Sequence, residues 1–161
     1  MDVKNAFLHG DLEEENYMEQ QLGYVKNSSL VCKLKKSLYG FKQAPTVWYA
    51  MMDSYLLSQN FVRCKSDSNV YKLKKIDSLL IIVLYIDDLL IIGSSTYAIS
   101  ETKIALHKQF SMTYMGLVNL FLVLEINHSG SGITIYQPNY ARDILARFHM
   151  SDSTPATTPF L

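Results

Sequence analysis

"LLIIVLYIDDLLIIG", residues 79–93, decides how this chain is read. Eight apolar residues, Leu79 to Ile86, run into Asp87 and Asp88; four more apolar residues follow, and Gly93 closes the stretch. A membrane span needs about 18 or more consecutive apolar residues, and each central Asp costs roughly 2.5–3.5 kcal/mol there, so the run is too short and too charged to cross a bilayer. Its Ile, Val and Tyr content and its strand-like length favour β-structure over a buried helix. The expectation is a hairpin: strand 79–85, a turn at Ile86-Asp87-Asp88, strand 89–93. Two readings of the aspartates stay open. Asp suits a solvated turn tip. Alternatively, strands apolar on both faces imply central burial, and buried carboxylates stay ionised together only beside a cation.

The rest of the chain narrows the choice. Its 161 residues fit one domain with a real core. Lys+Arg and Asp+Glu are both 15, so the net charge of zero gives no global sign of nucleic acid or membrane, and any basic footprint must be local. Cys32 and Cys64 are too far apart in sequence for a disulfide scaffold or a zinc motif, and are expected as small buried or half-buried side chains in a reducing compartment. His9, His107, His128 and His149 show no metal-ligand spacing and are expected at surfaces or edges. No signal peptide or internal repeat is visible.

Working along the chain, 2–8 reads as a strand, "HGDLEEE" as an acidic turn, 16–20 as a short strand and 30–36 as a strand with alternating lysines. "SLYGFKQAP", 37–45, reads as a loop. A helix is expected from Pro45 to about Gln59, with Trp48, Met52, Tyr55 and Leu56 on one face. A strand at 69–74 precedes the Asp-Asp hairpin. A helix from Thr96 to Phe110, capped by Ser95, buries Ile99, Leu106 and Phe110. A second hairpin joins 120–127 to 132–137 through "HSGSG", and a last helix runs from Pro138 to about His149, presenting Tyr140, Ile144, Leu145 and Phe148. Strands mostly in hairpins predict an α+β fold, an antiparallel sheet with helices on one face. The abrupt start at "DVKNAF" and the Ser/Thr/Pro end, "SDSTPATTPFL", are expected of a slice of something longer.

A metal site for phosphoryl transfer needs carboxylates converging from separate elements. Asp87 and Asp88 supply part of one, and Asp2, opening a second strand, is the candidate to complete it. "DVKNAFLHGDL", "KKSLYGFKQAP" and "YIDDLLIIG", in that order and spacing, resemble the reverse transcriptase of copia-type LTR retrotransposons. "LVNLFLVLEI" and "QPNYARDILARFHMSDSTPATTP" resemble the segments that follow in the same family, so the likeness covers essentially all 161 residues.

The resemblance implies the palm of a right-hand polymerase, with fingers and most of the thumb missing. Residues 1–150 would be the palm with the start of the thumb, and 151–161 a linker tail. Asp2, Asp87 and Asp88 would be catalytic metal ligands for two Mg²⁺ or Mn²⁺ ions, with the Val3 carbonyl completing one shell. Phe7 would be the steric gate under the sugar, and Tyr39, Gly40 and Lys42 would contact nucleotide or template. Tyr85, Phe121, Val123 and Glu125 would lie along the primer, and Lys33, Lys35 and Lys36 would reach nucleic-acid phosphates. Partners would be an RNA or DNA template with primer, a dNTP, and the fingers, thumb and RNase H of the Pol polyprotein, with no membrane. The place would be intracellular, in a cytoplasmic virus-like particle for an intact element. Four departures stand out: "EQQLGY" lacks the family's Pro-Pro, Thr46 replaces an Arg, "YMG" at 114–116, with Met115 at its centre, replaces a usual Asp-Leu-Gly, and Val123 replaces a Gly. They keep open an alternative: a catalytically silent relic of a decayed element.

Overall fold

The structure is a computed structural model, described over residues 1–155. It divides into two units, 1–115 and 116–161, the second described as far as residue 155. The expected tail, 151–161, therefore lies partly outside the described residues.

The first unit is built on a six-stranded sheet. Its strands are β1 (Asp2–Val3), β4 (Val62–Arg63), β5 (Val70–Lys75), β6 (Ser78–Tyr85), β7 (Asp88–Gly93) and β8 (Met112–Thr113), in the order β4-β5-β6-β7-β1-β8. Every pairing is antiparallel. Helices α1 (Ala44–Ser58) and α2 (Thr96–Gln109) pack on it. Alternation explains the face they choose: Leu80, Ile82 and Leu84 of β6 are buried in one cluster with Trp48, Met52 and Leu56 of α1 and Ala98 and Leu106 of α2. The other face, with Leu79, Tyr85 and Ile92, stays half-exposed. The central burial expected for this hairpin is thus one-sided, because both helices occupy the same face.

Helix boundaries follow their signals. Pro45 sits in the first turn of α1, and Ser95 caps α2 by accepting from the Ala98 N–H at 3.3 Å. Strands are less faithful. The strand expected over 2–8 ends at Val3, because Asn5 takes φ 55° and turns the chain into a 3₁₀ helix, Ala6–His9. The "acidic turn" is instead part of β2 (Asp11–Met18), which pairs with β3 (Cys32–Lys36) as a separate ribbon. Opposite charges across that ribbon, Asp11 with Lys36 and Glu15 with Lys33, stabilise what composition alone reads as loop. Cys32 lies exposed there, not buried; both cysteines are free.

In the second unit, β9 (Leu120–Phe121), β10 (Leu124–Ser129) and β11 (Gly132–Tyr136) form an antiparallel sheet, and α3 covers Pro138–Arg147. The single strand expected over 120–127 is broken: Leu122 takes φ 58° and, with Val123, makes a tight turn between β9 and β10. The "HSGSG" loop shrinks to Gly130-Ser131, with Ser129 opposite Gly132.

Candidate metal and nucleotide site

The turn at the end of β6 is shorter than expected. Tyr85 pairs with Asp88, leaving only Ile86 and Asp87 as the loop. Ile86 adopts φ 52°, a region that a β-branched side chain enters at a cost on the order of 1–3 kcal/mol. Asp87 is the second residue of the turn, and Asp88 begins β7.

Strand β1 brings the third carboxylate. Asp2 lies directly opposite Asp88 in the β1–β7 ladder. The Val3 N–H donates to the Asp87 carbonyl at 3.0 Å, and the Leu89 N–H to the Met1 carbonyl at 2.8 Å. The Val3 side chain is buried in the core, which ties β1 to the helical layer and fixes its register. Asp2, Asp87 and Asp88 are all half-buried. Burial, then the neighbouring charges of Asp87 and Asp2, push the Asp88 carboxyl above its usual range. Among the described residues no three Asp, Glu, His or Cys side chains are grouped closely enough to hold a metal ion. The backbone register joins the three aspartates; their side chains are not drawn onto one point. The donor set itself, hard anionic oxygens under mutual repulsion, is of the kind that suits Mg²⁺ or Mn²⁺.

Aromatic residues flank the carboxylates. Phe7, in the 3₁₀ helix, is buried, and the half-exposed Tyr39 ring lies over it with centroids 4.4 Å apart. The Tyr39 hydroxyl donates to Asp87 Oδ2 at 3.4 Å, and burial, then Asp87, raises the phenol's pKa. Gly40 follows at φ 95°, a conformation that glycine adopts without strain, and Lys42 is exposed. Tyr85 is 47% exposed and, with Pro45, Thr46, Trp48, Tyr49, Asn69, Leu84 and Ile86, borders a groove of about 330 Å³ beside the turn.

Of the basic residues expected to reach phosphates, Lys33 pairs with Glu15 and Lys36 with Asp11, the latter at 2.7 Å, so both ammonium groups are partly neutralised. Lys35 is exposed. In the second unit Phe121 is half-buried in β9, Val123 is exposed in the β9–β10 turn, and Glu125 accepts from Asn139 Nδ2 at 3.1 Å.

Two side-chain groups hold α1 in place: Trp48, which the sequence reading treated only as core, and Asp53, which it did not single out. The buried Trp48 donates its Nε1–H to the Ile86 carbonyl at 2.7 Å. Asp53 accepts from Tyr71 Oη at 2.8 Å and Arg63 Nε at 3.0 Å, anchoring α1 to β4 and β5. One signal was available for the first: a buried indole needs a hydrogen-bond acceptor, and Trp48 is the chain's single tryptophan.

No solved structure is significantly similar to the chain. The Pol polyprotein of transposon TNT 1-94 from Nicotiana tabacum is 42% identical over 99% of this chain. That of transposon RE2 from Arabidopsis thaliana is 38% identical over 99%, and the Ty1-NL2 Gag-Pol polyprotein of Saccharomyces cerevisiae 31% over 73%. The chain spans only 12%, 11% and 6% of those relatives' lengths, respectively. The family described as reverse transcriptase (RNA-dependent DNA polymerase) matches residues 1–161, from the strand carrying Asp2 through the Tyr-Ile-Asp-Asp turn to the last residue. The chain belongs to that reverse transcriptase family, in the branch found in copia-type retrotransposon Pol polyproteins.

Proposed function

We propose that this chain is the metal-holding palm of an RNA-directed DNA polymerase, working within a Pol polyprotein inside the cell. The reaction joins a primer 3′-hydroxyl to the α-phosphorus of a dNTP and releases pyrophosphate. The observation that carries the reading is the register of Asp2 against Asp88, with Asp87 in the adjoining two-residue turn. That register gives two separate elements a common carboxylate edge.

Asp2, Asp87 and Asp88 would hold two Mg²⁺ or Mn²⁺ ions, with the Val3 carbonyl as a further oxygen donor. When bound, the ions stabilise the charge on the attacking and leaving oxygens. The chain's own residues supply position. Phe7 and Tyr39 form an aromatic floor on which a deoxyribose rests, Phe7 as the bulk that disfavours a 2′-hydroxyl. Gly40 and Lys42 lie along the nucleotide, and Lys35 and Lys36 along template phosphates. Tyr85 contacts the primer in the first unit; Phe121, Val123 and Glu125 are primer contacts of the second unit taken by itself. Fingers, thumb and RNase H would come from the remainder of Pol.

A second reading, a catalytically silent relic, is favoured by the absence of a ready three-carboxylate cluster among the described residues and by Thr46, Met115 and Val123. Exchanging residues 1–161 for the matching segment of an active copia-type Pol separates the two. Extension of oligo-dT on poly-rA with Mg²⁺ or Mn²⁺ is expected, and Asp87→Asn should lower it by roughly a hundredfold or more, because an amide lacks the charge that holds the ions. An inactive exchange beside an active parent supports the relic; an Asn variant as active as its own parent contradicts the metal role of Asp87.

A further inference from the structure

We propose that Trp48 is a positioning residue for Asp87, holding the strained turn in the shape that presents its carboxylate. The inference rests on the metal-holding reading of the Tyr-Ile-Asp-Asp turn. Asp87 lies between two peptide groups, and each is pinned by a different element. The preceding carbonyl, of Ile86, accepts from Trp48 Nε1 on α1 at 2.7 Å. Its own carbonyl accepts from the Val3 N–H on β1 at 3.0 Å. Pinning both peptide groups restricts the dihedrals on either side of the Asp87 Cα, and so the direction of its side chain.

The turn needs such a clamp. Ile86 at φ 52° is a β-branched residue where glycine or asparagine is at ease, and such a conformation persists only where its surroundings impose it. Trp48 is suited to impose it. It is 1% exposed and packs edge-on against Phe110, with centroids 5.3 Å apart. It rises from the same helical face as Ala44, Met52 and Leu56, all buried. The ring cannot follow a turn that relaxes, and its one donor would then be left buried without a partner. Removing the donor alone should let the turn drift toward conformations that Ile86 prefers.

The test uses Mn²⁺ alone, titrated into the whole chain and followed through the free-ion EPR signal. In Trp48→Phe, which keeps an aromatic ring and loses the N–H, the dissociation constant should rise roughly tenfold, as for other residues that orient metal ligands from behind. Ile86→Gly removes the strain, so in that background Trp48→Phe should cost no more than about threefold. A merely structural role for Trp48 would weaken both backgrounds alike, and that result, or equal Mn²⁺ affinity of wild type and Trp48→Phe, overturns the proposal. If wild type itself binds no Mn²⁺, the metal reading fails, and amide exchange still decides the positioning claim. Trp48→Phe should then speed exchange at Val3 and leave Ile82 unchanged, whereas an unchanged Val3 refutes the clamp. Should Trp48→Phe not fold, benzothienylalanine at position 48 keeps the bicyclic shape without the N–H and carries the same expectations.

Discussion

Asp53 shows how much of this structure is decided by single polar contacts. Burial would raise its carboxyl, but hydrogen bonds from Arg63 and Tyr71 outweigh it and hold the group below the usual carboxylate range. A depressed folded-state pKa means stability that is present above the unfolded value and lost as pH falls through the folded one. Asp53→Asn should therefore destabilise the chain by roughly 1–2 kcal/mol near neutral pH, since part of the ion pair is solvated. The gap to wild type should close as pH drops below about 4, the ordinary carboxylate range. Urea midpoints across that pH range check both parts, and a gap independent of pH would contradict the charged role. None of this was legible in advance: Asp53 reads as a polar residue on a helix, and its partners lie 10 and 18 positions away. Asp87 and Asp88 were legible because charge inside an apolar run has few explanations.

At the scale of elements, periodicity predicted the helices well and the strands only in part. A helix carries its own hydrogen bonds, so spacing and caps reveal it. A strand is completed by a partner elsewhere in the chain, which is why the Asp11–Met18 ribbon and the break at Leu122 stayed hidden. The quoted stretch ends at Gly93 for a steric reason. Gly93 pairs with Leu80 while α2 passes overhead, and a Cβ there would lie 2.7 Å from Leu80 Cδ2, 3.1 Å from Ile99 Cγ1 and 3.2 Å from the Leu79 carbonyl oxygen. The backbone oxygen cannot step aside as a side chain can. Gly93→Ala should thus lower stability by about 1–3 kcal/mol despite alanine's smaller entropy loss on folding, read as a lower urea midpoint at unchanged slope. A midpoint equal to or above wild type would mean that α2 has room to move.

Over the whole molecule, the α+β class and the antiparallel sheet were legible from the order of hairpins and helices, and the family from three ordered motifs. The candidate site came from the sequence as a set of residues, without a geometry. Asp2 meets Asp88 through β1, a strand of two residues whose pairing no periodicity could announce. Net charge is zero, and Lys33 and Lys36 pair with Glu15 and Asp11, so the proposed chemistry rests on the carboxylates of Asp2, Asp87 and Asp88. The proposed role of this carboxylate edge is to gather divalent metal. Crystals of the chain grown with Mn²⁺ and measured at the manganese absorption edge test it most directly. An anomalous peak beside the carboxylates of Asp2, Asp87 and Asp88, lost in Asp87→Asn, is the expected result. Ordered carboxylates with no peak between them, or the same peak in the Asn variant, would contradict it.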